Sequence, residues 1–157
     1  MRKENQIDVK AWLWRYSKEK RNVIRLRGEY DELVSIQESV SAVTYDGMPH
    51  GSGDNHDLSD LMIMRDRTRQ DLEEATARMT AAFLEIQDAI SQLDTELMRS
   101  IISLRYVKLK KNYTVTSFPE IAGLVGYDES YVTHVHGDAL KELRAIIPRV
   151  KNHSKKQ

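Results

Sequence analysis

Ser117-Phe118-Pro119-Glu120-Ile121-Ala122-Gly123-Leu124-Val125-Gly126-Tyr127-Asp128, continued by Glu129-Ser130-Tyr131-Val132-Thr133-His134-Val135, settles the class of fold. Thr116 or Ser117 caps a helix with Pro119 in its first turn, where a missing N–H costs nothing. Gly126 supplies the left-handed residue that ends it. Asp128 caps a second helix from Glu129 to about Ile147, with Pro148 marking its end. The spacing Ile121-Ala122, Gly126, Val132 and Val135 is that of a helix-turn-helix, with the small Ala122 where the helices cross. Val132 and Val135 bury the inner face of the second helix. Glu129, Ser130, Tyr131, Thr133, His134 and Lys141 are left for its outer faces, the geometry a helix needs to enter a major groove.

Upstream, Leu97 to Val107 reads as a further helix, and Lys108 to Val115 as a link carrying three lysines. Before that the chain repeats every seven residues. Val9, Trp12, Tyr16, Val23, Leu26, Tyr30, Leu33 and Val40 follow alternating steps of three and four, interrupted by Glu19 and Gln37. This narrow apolar seam predicts a helix from about Asp8 to about Val43, roughly 50 Å long. A second pair of rows follows: Leu58, Leu72, Met79, Ile86 and Leu93, interrupted by Arg65, beside Leu61, Thr68, Ala75, Ala82 and Ala89. Met62, Phe83, Ile90 and Leu97 widen it. Two helices of similar length joined by one Gly-rich link predict an antiparallel hairpin.

The link holds four candidate metal ligands, His50, Asp54, His56 and Asp57, but their spacing matches no metal-site pattern. A turn with a helix cap from Asn55 or Asp57 accounts for them better, and no cofactor or metal is expected. Trp12 belongs to the seam, whereas Trp14 points to another side and needs a cover. Self-association, a dimer in the first instance, is the favoured cover, with a surface of RNA polymerase as the next choice.

Composition narrows the class further. The 157 residues include no Cys, three Pro and seven Gly. Thiolate sites and disulfides are therefore excluded, in keeping with a reducing cytoplasm, and long helices are favoured. No apolar run approaches the roughly 18 residues of a membrane span, and no secretory signal is legible at the start. No phosphate-binding Gly loop, His-Glu-x-x-His or nucleophile–base spacing is present, so catalysis is not expected. The zero net charge conceals an uneven distribution: residues 45–100 hold five basic and twelve acidic side chains, and residues 101–157 hold ten basic and five acidic. A basic final third suits a polyanion.

Leu104-Arg105-Tyr106, Glu120-Ile121-Ala122, Gly126-Tyr127, Val132 and Ala139-Leu140-Lys141-Glu142-Leu143-Arg144 resemble region four of bacterial sigma factors. From about Val9 to Arg144 the chain looks still more like the ArpU/RinA-type phage and prophage regulators. There a helical N-terminal segment and a Gly-Ser-Gly loop precede a sigma-like helix-turn-helix. Met48-Pro49-His50-Gly51-Ser52-Gly53, followed by His56-Asp57-Leu58-Ser59-Asp60, carries that match. The resemblance implies binding of double-stranded promoter DNA and control of late phage genes. By position it puts base reading on Glu129, Ser130, Thr133 and His134, beside the outward Tyr131. The recognition helix departs from the sigma pattern in having no Arg before Lys141. No counterpart of the promoter-melting region is present.

Lys108, Lys110 and Lys111 before the first helix of the motif, Ser117 at its start, and Lys141 and Arg144 on the second are the expected phosphate contacts. The expectation is thus an all-α chain. A coiled-coil-like antiparallel hairpin occupies residues 1–95, a sigma-like helix-turn-helix residues 96–148, and a basic flexible tail residues 149–157. A DNA-packaging adaptor resembling a small terminase subunit, which also joins a helix-turn-helix to an oligomerising hairpin, is the alternative function.

Overall fold

The computed structural model describes residues 6–44 and 54–155. Among them every regular element is helical: α1 Val9–Thr44, α2 Asp54–Ser91, α3 Glu96–Ile102 with a π-helical turn Ser103–Val107, α4 Phe118–Val125 and α5 Glu129–Ser154. The all-α class holds. The link between α1 and α2, with His50 and the side chains of Asp54, Asn55 and His56, lies outside the described residues. By compactness the chain divides into Met1–Lys18 with Met79–Gln157, and Glu19–Arg78. That division does not follow the boundary at residue 95 expected from the periodicity.

In the unit Glu19–Arg78, the middle of α1 packs antiparallel on the first part of α2. Val23, Leu26 and Ala75 are buried there. The polar interruptions of the two stripes are each paired across the hairpin. Arg65 Nη1 donates to Gln37 Oε1 at 2.9 Å, and Arg78 Nε stands 3.4 Å from Glu19 Oε1. Residues that look like flaws in each seam alone are therefore cross-helix pairs, which help set the register of the hairpin.

The other unit holds two apolar clusters. In the first, Val9, Trp12 and Leu13 of α1, Ile86 and Ile90 of α2 and Leu93 just beyond its end pack with Leu143, Ile147 and Val150 of α5. Covering by α5 widens the buried arc of α1, so Leu13, off the heptad seam, is fully buried; Ser17, also off the seam, is fully buried as well. The Ser17 hydroxyl is satisfied by the Trp14 carbonyl at 3.0 Å. Here too α1 and α2 run antiparallel: Arg15 Nη2 meets Glu85 Oε2 at 2.7 Å, and the Tyr16 and Phe83 rings lie 5.3 Å apart. The second cluster is the helix-turn-helix core, Ile101, Ile121, Ala122, Val132 and Val135. Thr95 caps α3 by accepting from Met98 N at 3.2 Å, and Arg99 Nη1 donates to the Leu93 carbonyl at 2.6 Å, closing the turn from α2.

Two sequence expectations are corrected. Helix α5 does not stop at Pro148 but runs through it to Ser154, so most of the segment assigned to a basic flexible tail is helix. A proline inside a helix costs about 3 kcal/mol. Burial of Ile147 and Val150 on either side returns roughly 1.5–3 kcal/mol each, enough to carry the helix past the break. Trp14, for which a second molecule was the favoured cover, is covered from within the chain: its ring lies 4.5 Å from that of Tyr106 in the π-helical turn.

Deleting residues 149–157 removes Val150 and uncovers Ile147. The urea midpoint of the truncated chain should fall by an amount equivalent to roughly 2–4 kcal/mol. A midpoint equal to that of the full chain would mean that the segment packs on nothing.

Candidate nucleic-acid interface

Helix α4 is specified at both ends. The Ser117 hydroxyl accepts from Glu120 N, while Glu120 Oε2 accepts from Ser117 N and Oγ, both at 2.8 Å, forming a reciprocal capping box. At the other end Gly126 adopts φ 78° and its N–H returns to the Ala122 carbonyl at 2.9 Å. Only glycine takes that conformation without strain. The turn hands the chain to α5, whose Val132 and Val135 bury against Ile121 and Ala122.

The five expected base-reading residues come together. Glu129, Ser130, Tyr131, Thr133 and His134 all lie exposed on the first two turns of α5. Thr133 Oγ1 donates to the Glu129 carbonyl at 2.9 Å, which leaves its lone pairs free to accept, for example from cytosine N4 or adenine N6. His134 Nε2 lies 3.3 Å from Asp138 Oδ2. Steps of three and four continue this exposed face through Ser130, His134, Gly137 and Lys141.

Gly137 was not singled out by sequence reasoning. It sits inside α5, has no positive φ, and a Cβ built on it meets nothing within 4 Å. Neither turn geometry nor internal packing requires a glycine there, which is equally true of Gly28 in α1 and Gly123 in α4; what distinguishes Gly137 is its place on α5. Its place in the outer row allows another surface to approach the backbone closely.

The expected phosphate contacts are less uniform. Lys108, Lys110 and Lys111 are exposed on the link before α4. A tight turn closes that link: Tyr113 N donates to the Lys110 carbonyl at 2.8 Å and Lys110 N to the Thr114 carbonyl at 3.1 Å. Tyr113 takes φ 59° in this turn, a strained conformation for a non-glycine residue. The Lys110 ammonium is paired with the Glu120 carboxylate, so its charge is already answered. That ammonium, together with the Ser117 N–H and hydroxyl, lowers the Glu120 carboxyl to about 2. Ser117 is committed to its cap. Lys141 Nζ stands 3.9 Å from Asp138 Oδ1, and Arg144 lines a cavity with Asp8 and Lys10 at the start of α1.

A buried aromatic group stands behind this face. The Tyr106 hydroxyl and His136 Nε2 meet at 2.9 Å, and the His136 ring stacks on Tyr106 and packs edge-on to Phe118. Arg105 lies over the Phe118 ring at 4.5 Å and donates through Nη1 to the Thr116 carbonyl at 2.8 Å. Burial raises the Tyr106 hydroxyl to about 12. Burial, reinforced by the charges of Lys10 and Arg105, lowers the His136 imidazole to about 4. Sequence reasoning named Arg105 and Tyr106 only as part of the family resemblance and did not single out His136. Among the described residues no group of His, Asp and Glu is arranged to hold a metal ion.

His136 stays neutral in the folded chain down to about pH 4, whereas unfolded it protonates near 6.5. The unfolded chain binds more protons between those limits, so stability decreases as pH falls through that window. His136→Gln keeps a partner for the Tyr106 hydroxyl but does not titrate. Thermal midpoints of this variant should vary less with pH in the upper part of the window, above the carboxylate range. An unchanged slope would remove His136 as its cause.

Comparison with protein-family models, curated proteins and solved structures returns no match to this chain.

Proposed function

We propose that the chain is a DNA-binding transcriptional regulator whose α5 reads promoter DNA in the major groove, in the manner of the sigma-like phage and prophage regulators it resembles. The observation that carries this reading is the outer row of α5. Five polar or aromatic residues are exposed on its first two turns, and Gly137 follows in a place where the fold itself has no use for a glycine. Glycine inside a helix costs about 0.5–1 kcal/mol relative to alanine. A close-approaching partner gives that cost a function, and a groove lined by base edges matches hydroxyl, imidazole and carboxylate groups. The basic surplus of residues 101–157, and Lys108 and Lys111 on the link, suit a phosphate backbone on either side.

A second reading, the packaging adaptor, shares this DNA face and differs in assembly. The unit Glu19–Arg78 leaves Ile36, Met62, Ile63 and Met64 exposed at 41–55%. That favours association of the hairpin with further copies in either reading, or with RNA polymerase in the first. Light scattering separates a monomer or dimer, expected for a regulator, from the large ring of a packaging adaptor.

The decisive variants separate holding from reading. Gly137→Ala should stabilise the fold by about 0.5–1 kcal/mol and yet weaken DNA binding. Thr133→Ala or His134→Ala should reduce preference for the selected site over random DNA by roughly 1–3 kcal/mol. Lys111→Ala should weaken both kinds of DNA alike and lower the salt slope by about one. If Gly137→Ala stabilised the chain and left DNA affinity unchanged, α5 would not be the surface that meets DNA.

A further inference from the structure

We infer that Tyr127 and Tyr131 form an aromatic edge that recognises the 5-methyl group of thymine, and by the same chemistry of 5-methylcytosine, in the major groove. The inference rests on the DNA-binding reading and extends it to the kind of base sought. Tyr127 and Tyr131 are 51% and 48% exposed. The two tyrosine rings lie 5.3 Å apart with their planes at 41°, so they form one surface. Trp12, Trp14, Tyr16, Phe83, Tyr106 and Phe118 are instead buried or half-buried. The fold leaves this edge open.

Position decides what would cover it. Tyr127 follows the left-handed Gly126, and Tyr131 lies on the same two turns of α5 as Ser130, Thr133 and His134. A surface that meets the polar row is therefore adjacent to the tyrosine edge. The polar row, with two hydroxyls, an imidazole and Lys141 further along, suits base edges better than an apolar protein surface. On the major-groove edge of the base pairs the apolar group is the thymine methyl; the other readable groups are donors and acceptors. The two adjoining phenol rings match that methyl.

The test uses the full chain and a duplex enriched from a random-sequence pool, made once with thymine and once with uracil throughout, which removes only the methyl groups. The unaltered chain should bind the uracil duplex more weakly, by roughly fourfold for each methyl contacted. Its salt slope should not change. Tyr127→Ser combined with Tyr131→Ser, verified as folded by thermal unfolding, should bind the two duplexes alike. Returning thymine for uracil at a single sensitive position should strengthen binding by the unaltered chain only. Equal binding of thymine and uracil duplexes by the unaltered chain would overturn the inference and leave DNA binding standing. A uracil penalty that survived in the double variant would overturn the assignment to these residues, and the edge would then serve another partner. Failure to enrich any duplex would overturn the DNA-binding reading, and this inference with it.

Discussion

The hydrogen bond between the Tyr106 hydroxyl and His136, 2.9 Å long and buried, stands where the two apolar clusters of the larger unit adjoin. Tyr106 belongs to the cluster built on α1, α2 and the end of α5. His136 follows Val135, which belongs to the helix-turn-helix core. Trp14 reaches Tyr106 from α1, and Phe118 reaches His136 from α4. Four segments are thereby tied through one pair of polar atoms. A buried polar pair contributes little net stability, but leaving either member without its partner costs about 1–3 kcal/mol. The pair therefore favours one arrangement of the motif over slightly shifted alternatives.

Helix α5 extends that constraint. Its first half is buried through Val132 and Val135 in one cluster, and its second half through Leu143, Ile147 and Val150 in the other. A helix anchored at both halves presents its remaining side as a fixed row. That is the physical requirement for reading a groove, where misplacement by an ångström loses a hydrogen bond. The capping box of Ser117 and Glu120 and the left-handed Gly126 set the other helix of the motif with similar economy.

Much of this was legible in the sequence, because periodicity and turn chemistry are local. The heptad rows located α1 and α2, and Ser117, Pro119 and Gly126 bounded α4 to the residue. What escaped depends on contacts distant in sequence. Nothing around Leu13 announces that α5 will cover it, and nothing local to Pro148 shows that Val150 has a core to enter. Trp14 looked uncovered because its partner, Tyr106, lies far along the chain. The pairing of Lys110 with Glu120 bridges a link whose turn is built on the strained Tyr113. Of the candidate interface, the exposed residues of α5 followed from helix geometry. The significance of Gly137 emerged only once the empty space around it was known.

On the proposed reading, the outer row of α5, held from behind by Tyr106 and His136, is the surface that meets DNA. The most direct test is amide chemical-shift mapping of the isotopically labelled full chain during titration with an enriched duplex. The account predicts that the largest changes fall on residues 129–141 and on the link 108–113, with residues 19–40 and 57–78 unmoved. Changes concentrated on the hairpin, with α5 unaffected by bound DNA, would contradict it.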